Sequence, residues 1–180
     1  MKESVILVDK EGLMTGTMDK LAAHKSGMLH RAFSIFVFNG KNELLLQQRS
    51  THKYHSGGLW SNTCCSHPKP GEITKMAAVR RLKEEMGLTC KLAEIFSFVY
   101  FVQLGNGIAE HEFDHVFLGF SDSLPVLNDD EAVSYRYVNI ENLLKDVVLN
   151  QDKYTEWLKI CLDQVVQYLN ISKSDAALDG

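Results

Sequence analysis

The chain has 180 residues, of which 45% are hydrophobic and 23% charged, and its formal net charge is −4. That length and balance fit one globular domain with a core of its own, and they exclude disordered, fibrous and disulfide-stapled classes. A nucleic-acid groove needs clustered Lys and Arg, which are missing here, and no apolar run reaches the ~20 residues of a membrane helix.

Residues 1–9 hold too few apolar positions for a signal peptide, so a cytoplasmic protein is expected, with no nucleic-acid and no membrane partner. Apolar and β-branched runs predict strands over 4–9, 33–38, 43–48, 94–103, 112–120 and 133–138. The stretch carrying Lys20, His24 and His30 reads as a loop. Asn39-Gly40-Lys41-Asn42 reads as a hairpin turn. A helix is predicted over 72–86, with Ala78, Leu82 and Met86 on one face and Gly87 as its C-terminal cap. A short helix follows over 140–146. A longer one spans 151–169, where Tyr154, Trp157, Leu158, Cys161, Val165, Tyr168 and Leu169 recur at helical spacing. Residues 1–170 make one domain, and 171–180, small and polar, make a frayed tail. The fold class is α/β (α+β): a single-domain mixed β-sheet sandwich flanked by helices.

The four cysteines are Cys64, Cys65, Cys90 and Cys161. An adjacent pair suits neither a disulfide framework nor a CxxC zinc knuckle, so thiols in a reducing compartment are expected.

The chemistry concentrates around Ser61-Asn62-Thr63-Cys64-Cys65-Ser66-His67-Pro68. Cys65 stands two residues from His67. With His24, His30, Glu110 and Glu112, His67 supplies a ligand set of three imidazoles and two carboxylates. Such a set suits Mg²⁺, Mn²⁺ or Zn²⁺. Residues two apart on a strand share a face, so Glu110 and Glu112 address one pocket while His111 faces away. His52, His55, His111 and His115 are left as surface or outer-layer groups.

The 72–87 segment reads E-x7-R-R-L-x-E-E-x-G, with Arg81 and Glu85 one helical turn apart and able to pair. It resembles the Nudix box, whose carboxylates hold Mg²⁺ against a diphosphate. Two positions depart from that box. Ser66 stands in place of the first Gly. Arg81 replaces a metal-binding Glu, which counts against diphosphate hydrolysis.

The chain as a whole, from about residue 4 to 169, resembles the type I isopentenyl-diphosphate isomerases, a branch of the Nudix superfamily. The landmarks are residues 15–20 followed by His24 and His30; residues 48–53; residues 60–68; residues 80–87; Tyr100; Glu110-His111-Glu112; and Trp157. The resemblance implies that isopentenyl and dimethylallyl diphosphate are interconverted through a tertiary carbocation. His24, His30, His67, Glu110 and Glu112 would bind one divalent metal (Mn²⁺, Mg²⁺ or Zn²⁺). Glu85, helped by the Cys65 carbonyl, would bind a substrate-associated Mg²⁺. Lys20, Arg49, Lys53 and Arg81 would hold the diphosphate. Cys65 and Glu112 would transfer protons, with Tyr100 beside Glu112 and Trp157 facing the cation. The expected partner is a small diphosphate, and the expected assembly a monomer or weak homodimer. Two rivals remain: a Nudix hydrolase, which would want the missing Glu, and a metal-binding module without catalysis, which would not need Cys65.

Overall fold

A computed structural model describes residues 3–178, with side chains as far as residue 171. Strands β1 (Ser4–Val8) and β2 (Met14–Asp19) form an antiparallel hairpin that leads into helix α1 (Lys20–Ser26). Then come β3 (His30–Phe38), β4 (Glu43–Arg49), β5 (Trp60–Ser61), β6 (Cys64–Ser66) and helix α2 (Thr74–Met86). The long strands β7 (Leu92–Gly105) and β8 (Ile108–Phe120) precede β9 (Ala132–Asn139), α3 (Ile140–Leu149), a 3-10 turn at Gln151–Lys153 and α4 (Glu156–Leu178).

Strand β3 organises the sheet. One edge runs parallel to β8 from His30↔Glu112 to Phe38↔Phe120. The other edge is shared in turn by β1 at His30, β6 at Phe33–Ile35 and β4 at Phe38, all antiparallel. β7 pairs β8, and β9 pairs β4, both antiparallel. The sheet is therefore mixed, as the sequence pattern implies.

The two faces follow the strand period of two. Phe33, Ile35 and Val37 of β3 point to one side, where Ala77, Ala78, Leu82 and Met86 of α2 cover them. Phe36 and Phe38 point to the other, under Leu143 and Val147 of α3 and Leu158, Cys161, Leu162 and Val165 of α4. β3 is apolar almost throughout because both of its faces are covered.

Sequence and structure differ in a few places. The stretch around Lys20 and His24 is not a loop. It holds β2 and α1, and α1 is fixed by local caps. Asp19 Oδ1 accepts the Ala22 amide at 3.0 Å, and Gly27 closes the helix at φ 63°. Two turns are too short to show periodicity. The predicted 151–169 helix is a 3-10 turn and then α4, so Tyr154 precedes the helix. α4 runs on as helical backbone to Leu178, where a frayed tail is expected from composition. In the β3–β4 turn the left-handed residue is Asn42, at φ 58°, and not Gly40. Gly40 gives its amide to Asp122 at 2.7 Å, and a Cβ there would press on that carboxylate. Gly87 does cap α2, at φ 65°.

Candidate active site

The site grows from cross-strand rows on the α4-facing side of the sheet. Tyr100 of β7 pairs Glu112 of β8, which pairs His30 of β3. Paired residues on neighbouring strands share a face, so register alone brings these three together. The Tyr100 hydroxyl donates to Glu112 Oε2 at 2.6 Å. Glu110, two residues back on β8, lies beside Glu112 as the period-two argument requires, and both are buried. His111 turns away and binds the Gly27 carbonyl through Nδ1 at 2.9 Å.

His24 arrives from α1, and His67 follows directly on β6. One nitrogen or oxygen of each of His24, His30, His67, Glu110 and Glu112 lies within 4.8 Å of every other. His24 Nδ1 bonds the Lys20 carbonyl at 2.6 Å, and His30 Nδ1 bonds the Met28 carbonyl at 2.8 Å. A carbonyl only accepts, so each Nδ1 carries a hydrogen, and in the neutral ring Nε2 presents a lone pair. His30 Nε2 then faces His67 Nε2 at 3.2 Å, with Glu112 Oε1 2.9 Å from the latter. His24 Nε2 faces Glu110 Oε2 at 3.1 Å.

Lone pairs gathered in a buried space in this way are compatible with a bound cation. Neutral imidazoles and carboxylates form a suitable donor set for a divalent ion. The electrostatics agree. Burial lowers His24, and it pushes His67 down to about 3, so both imidazoles stay neutral. Burial and the Glu112 charge drive the Glu110 carboxyl well up. Burial acts the same way on Glu112, but the contacts that His30 and His67 make with its carboxylate outweigh it and hold it low.

Cys65 opens into the same cavity, which is also lined by Lys20, Arg49, Lys53, Arg81, Glu85, Tyr100, Glu110, Glu112 and Trp157. Cys65 pairs Ser34 across β3, and Glu112 belongs to the strand on the other side of β3. The two groups thus reach the cavity from strands flanking a shared neighbour. The buried Ser61-Asn62-Thr63 turn holds Cys65 in place. Asn62 Nδ2 donates to the Ile35 and Cys64 carbonyls, both at 3.1 Å, which leaves Oδ1 to accept from the Cys65 thiol at 2.8 Å. Thr63 Oγ1 donates to the Leu45 carbonyl at 2.6 Å and accepts from the Val37 amide at 2.9 Å. Burial, then the Asp114 carboxylate, pushes the Cys65 thiol up to about 12, so it holds its proton.

The four cations expected at a diphosphate all line the cavity, and three are tied to carboxylates. Lys20 pairs Glu3, Lys53 pairs Glu131, and Arg81 pairs Glu84, Glu85 and Glu131. Arg49 instead lies over the Trp157 ring, 5.0 Å from its centroid. Glu85, which also accepts from Gln47 Nε2 at 3.1 Å, is the one carboxylate of the α2 motif that is buried. Arg80 points elsewhere and clamps Glu72 through two bonds of 2.7 and 2.8 Å.

Several groups at the site escape the sequence reading. Glu131 bridges Lys53 and Arg81; burial would raise its carboxyl, yet those two cations bring it down to about 2. Of the two places expected for His55, surface or outer layer, the structure takes the second. Its Nε2 lies 3.2 Å from Glu110 Oε1, and its ring meets Trp157 edge-on at 5.9 Å. Ser34 donates to Asp114 at 2.8 Å behind Cys65. Glu131 and His55 sit in loops with no periodicity. The Glu112–Asp114 spacing was available as a signal, because residues two apart share a face.

Known proteins agree with this architecture. The family model for the NUDIX domain matches residues 28–158. Among solved structures, DR0079 from Deinococcus radiodurans superposes with a TM-score of 0.75 over 90% of this chain and 98% of that one, at 18% identity. A MutT protein from Methanosarcina mazei does so with a TM-score of 0.64 over 77% and 94%, at 19% identity. These place the fold in the NUDIX class. Curated relatives narrow it. The isopentenyl-diphosphate Delta-isomerase 2 of Aromatoleum aromaticum is 51% identical over 98% of this chain and 94% of its own. The isopentenyl-diphosphate Delta-isomerase of Pectobacterium atrosepticum is 47% identical over 95% and 96%. The chain belongs to the isopentenyl-diphosphate Delta-isomerase family within the NUDIX superfamily.

Proposed function

We infer that this protein is an isomerase interconverting isopentenyl and dimethylallyl diphosphate, with Cys65 and Glu112 as its proton-transfer pair. The observation that carries the reading is one cavity lined by a protonated thiol, a carboxylate bonded to a tyrosine, an indole and four cationic side chains.

The reaction moves a carbon–carbon double bond. A proton adds to the terminal CH₂, a tertiary cation forms at the branched carbon, and a proton leaves the neighbouring CH₂ on the diphosphate side. Two proton-transfer groups are needed, and each serves as donor in one direction and acceptor in the other. Cys65 supplies one. Glu112, with the Tyr100 hydroxyl 2.6 Å away, supplies the other. Trp157 presents its ring face to the cation, an interaction worth about 2 kcal/mol or more when desolvated. It is only 4% exposed, so its surroundings exclude the water that would trap the cation as an alcohol.

His24, His30, His67, Glu110 and Glu112 would hold a divalent ion, Mn²⁺, Mg²⁺ or Zn²⁺. Glu85, with the Cys65 carbonyl, would take a Mg²⁺ that arrives with the diphosphate. Bound there, such ions supply Lewis-acid polarisation and charge neutralisation. Lys20, Arg49, Lys53 and Arg81 would grip the diphosphate by charge-assisted hydrogen bonds, once the substrate replaces carboxylate partners such as Glu131. Residues 1–170 would act as one catalytic domain. Among the described residues no helix is long and apolar enough to cross a membrane, and we propose a cytoplasmic monomer or weak homodimer that binds neither nucleic acid nor membrane.

Hydrolysis is disfavoured by Arg81, whose guanidinium bonds Glu85 at 2.8 Å where the Nudix box would place another carboxylate. Incubation with isopentenyl diphosphate and Mg²⁺ or Mn²⁺ decides the matter. Dimethylallyl diphosphate should form without phosphate or pyrophosphate release, and a chelator should stop it. Phosphate release, or no conversion with Mg²⁺, Mn²⁺ or Zn²⁺, overturns the isomerase reading.

A further inference from the structure

Ser61 is fully buried at the end of β5, at a position to which the isomerase reading gives no task. Its hydroxyl accepts from Trp157 Nε1 at 2.9 Å and from Thr155 Oγ1 at 3.3 Å. It donates to Asn62 Oδ1 at 3.1 Å, and the same oxygen accepts the Cys65 thiol at 2.8 Å. Ser61 Oγ also lies 3.7 Å from Cys65 Sγ.

The donors and acceptors run in one sense only. An indole N–H donates and never accepts, so Ser61 Oγ must accept there. Its single hydrogen is then free to point at Asn62. The Asn62 amide cannot turn over, because Nδ2 is engaged by two backbone carbonyls. The thiol is left to meet Oδ1. One hydroxyl thus fixes the plane of the Trp157 ring and completes the acceptor that aims the Cys65 S–H.

We propose that Ser61 is a positioning residue that ties the cation-facing indole of Trp157 to the proton-transferring thiol of Cys65, setting both against the same stretch of substrate. Its hydrogen bonds go to Trp157, Thr155 and Asn62 and to none of Lys20, Arg49, Lys53 or Arg81, so it acts chiefly on the chemical step, and Arg49 over the Trp157 ring is its indirect link to substrate binding. The magnitude follows from geometry: displacing a reacting group by about 1 Å costs on the order of a hundredfold in rate. The inference rests on the isomerase reading of Cys65 and Trp157.

The test is steady-state isomerisation of isopentenyl diphosphate by the full chain loaded with Mg²⁺ and Mn²⁺. Ser61→Ala should lower kcat about ten- to a hundredfold with KM within about threefold. Ser61→Thr, which keeps the hydroxyl, should recover most of the loss. In D₂O, deuterium entry at the two exchanging carbons should shift in ratio for Ser61→Ala, because Cys65 is displaced and Glu112 is not. A purely structural role would lower melting temperature and leave that ratio as in wild type. Should Ser61→Ala be too unstable to assay, Trp157→Phe removes the N–H that Ser61 accepts while keeping an aromatic face, and it should lower kcat with KM likewise unchanged. Wild-type kcat in Ser61→Ala, or no recovery in Ser61→Thr, overturns the proposal. Inactivity of the wild-type chain instead overturns the isomerase reading beneath it.

Discussion

Cys65 is the residue on which the chemical reading turns. It is held by Asn62 Oδ1 at 2.8 Å and flanked by the hydroxyls of Ser34 and Ser61 at 3.8 and 3.7 Å. Replacing it by Ala removes one sulfur from a cavity wall and leaves the five candidate metal ligands intact. Isomerisation should fall by at least about a hundredfold, the lower end of what a general acid–base group contributes. Mn²⁺ affinity and melting temperature should stay near wild type. Turnover like wild type would remove Cys65 from the mechanism. Trp157 carries the second residue-level prediction. Trp157→Leu keeps an apolar side chain but loses the ring face that stabilises a cation by about 2 kcal/mol, so kcat should drop roughly thirtyfold. KM should move less than kcat, since of the four cations that would grip the diphosphate Arg49 is the one that lies over the ring. If only the melting temperature changes, the indole is merely core. Sequence alone named the five residues that the structure gathers within 4.8 Å of one another, because Glu110 and Glu112 obey the strand period and the histidines stand in ordered landmarks. Glu131 was out of reach, and for His55 the sequence left surface and outer layer both open, since their roles arise from loop contacts with residues far along the chain.

Each element contributes a fixed piece of the site. β3 aligns β6 and β8 on its two edges, and α2 sets the Glu85–Arg81 pair against the cavity while its apolar side closes one core. α2 must stop where it does. At Gly87 the backbone is left-handed, and an added Cβ would meet the Val126 carbonyl at 2.7 Å. Gly87→Ala should therefore cost about 1–3 kcal/mol in urea unfolding, from backbone strain and overpacking together. No loss of stability would mean the segment after α2 yields freely. Regular elements with strong patterns, such as β3, β4, β8 and α2, were legible to within a few residues. β2, α1, β5 and β6 were not. They are short and partly polar, and they are defined by pairing or by caps such as Asp19 and Gly27, so no window of sequence carries their signal. That mattered for function, because α1 carries His24 and the β5–β6 turn carries the network around Cys65.

On the scale of the whole molecule, the candidate metal centre joins α1, β3, β8 and the end of β6, elements far apart in sequence. A cation bound there stabilises only the folded chain. At a free concentration a hundred times its Kd it adds about 2.7 kcal/mol, which for a chain of this length corresponds to roughly 5–10 °C in melting temperature. A chelator should reverse the shift, and His24→Ala should abolish it. Acid should act in the same direction on the metal-free protein. His67 and His55 titrate near 6.5 when unfolded and only at about 3 when folded, mainly because burial penalises their charged forms. Between those values the unfolded chain binds more protons than the folded one, so stability increases with pH there. It is fully present above about 6.5 and is lost as pH falls toward 3. The metal ligation proposed for His67 would deepen the loss, since protons would displace the ion from the same nitrogen. Unfolding curves from pH 7.5 to 4, with and without Mn²⁺, should therefore converge as the pH drops. A gap between them that stays constant over that range would place the bound ion away from the histidines.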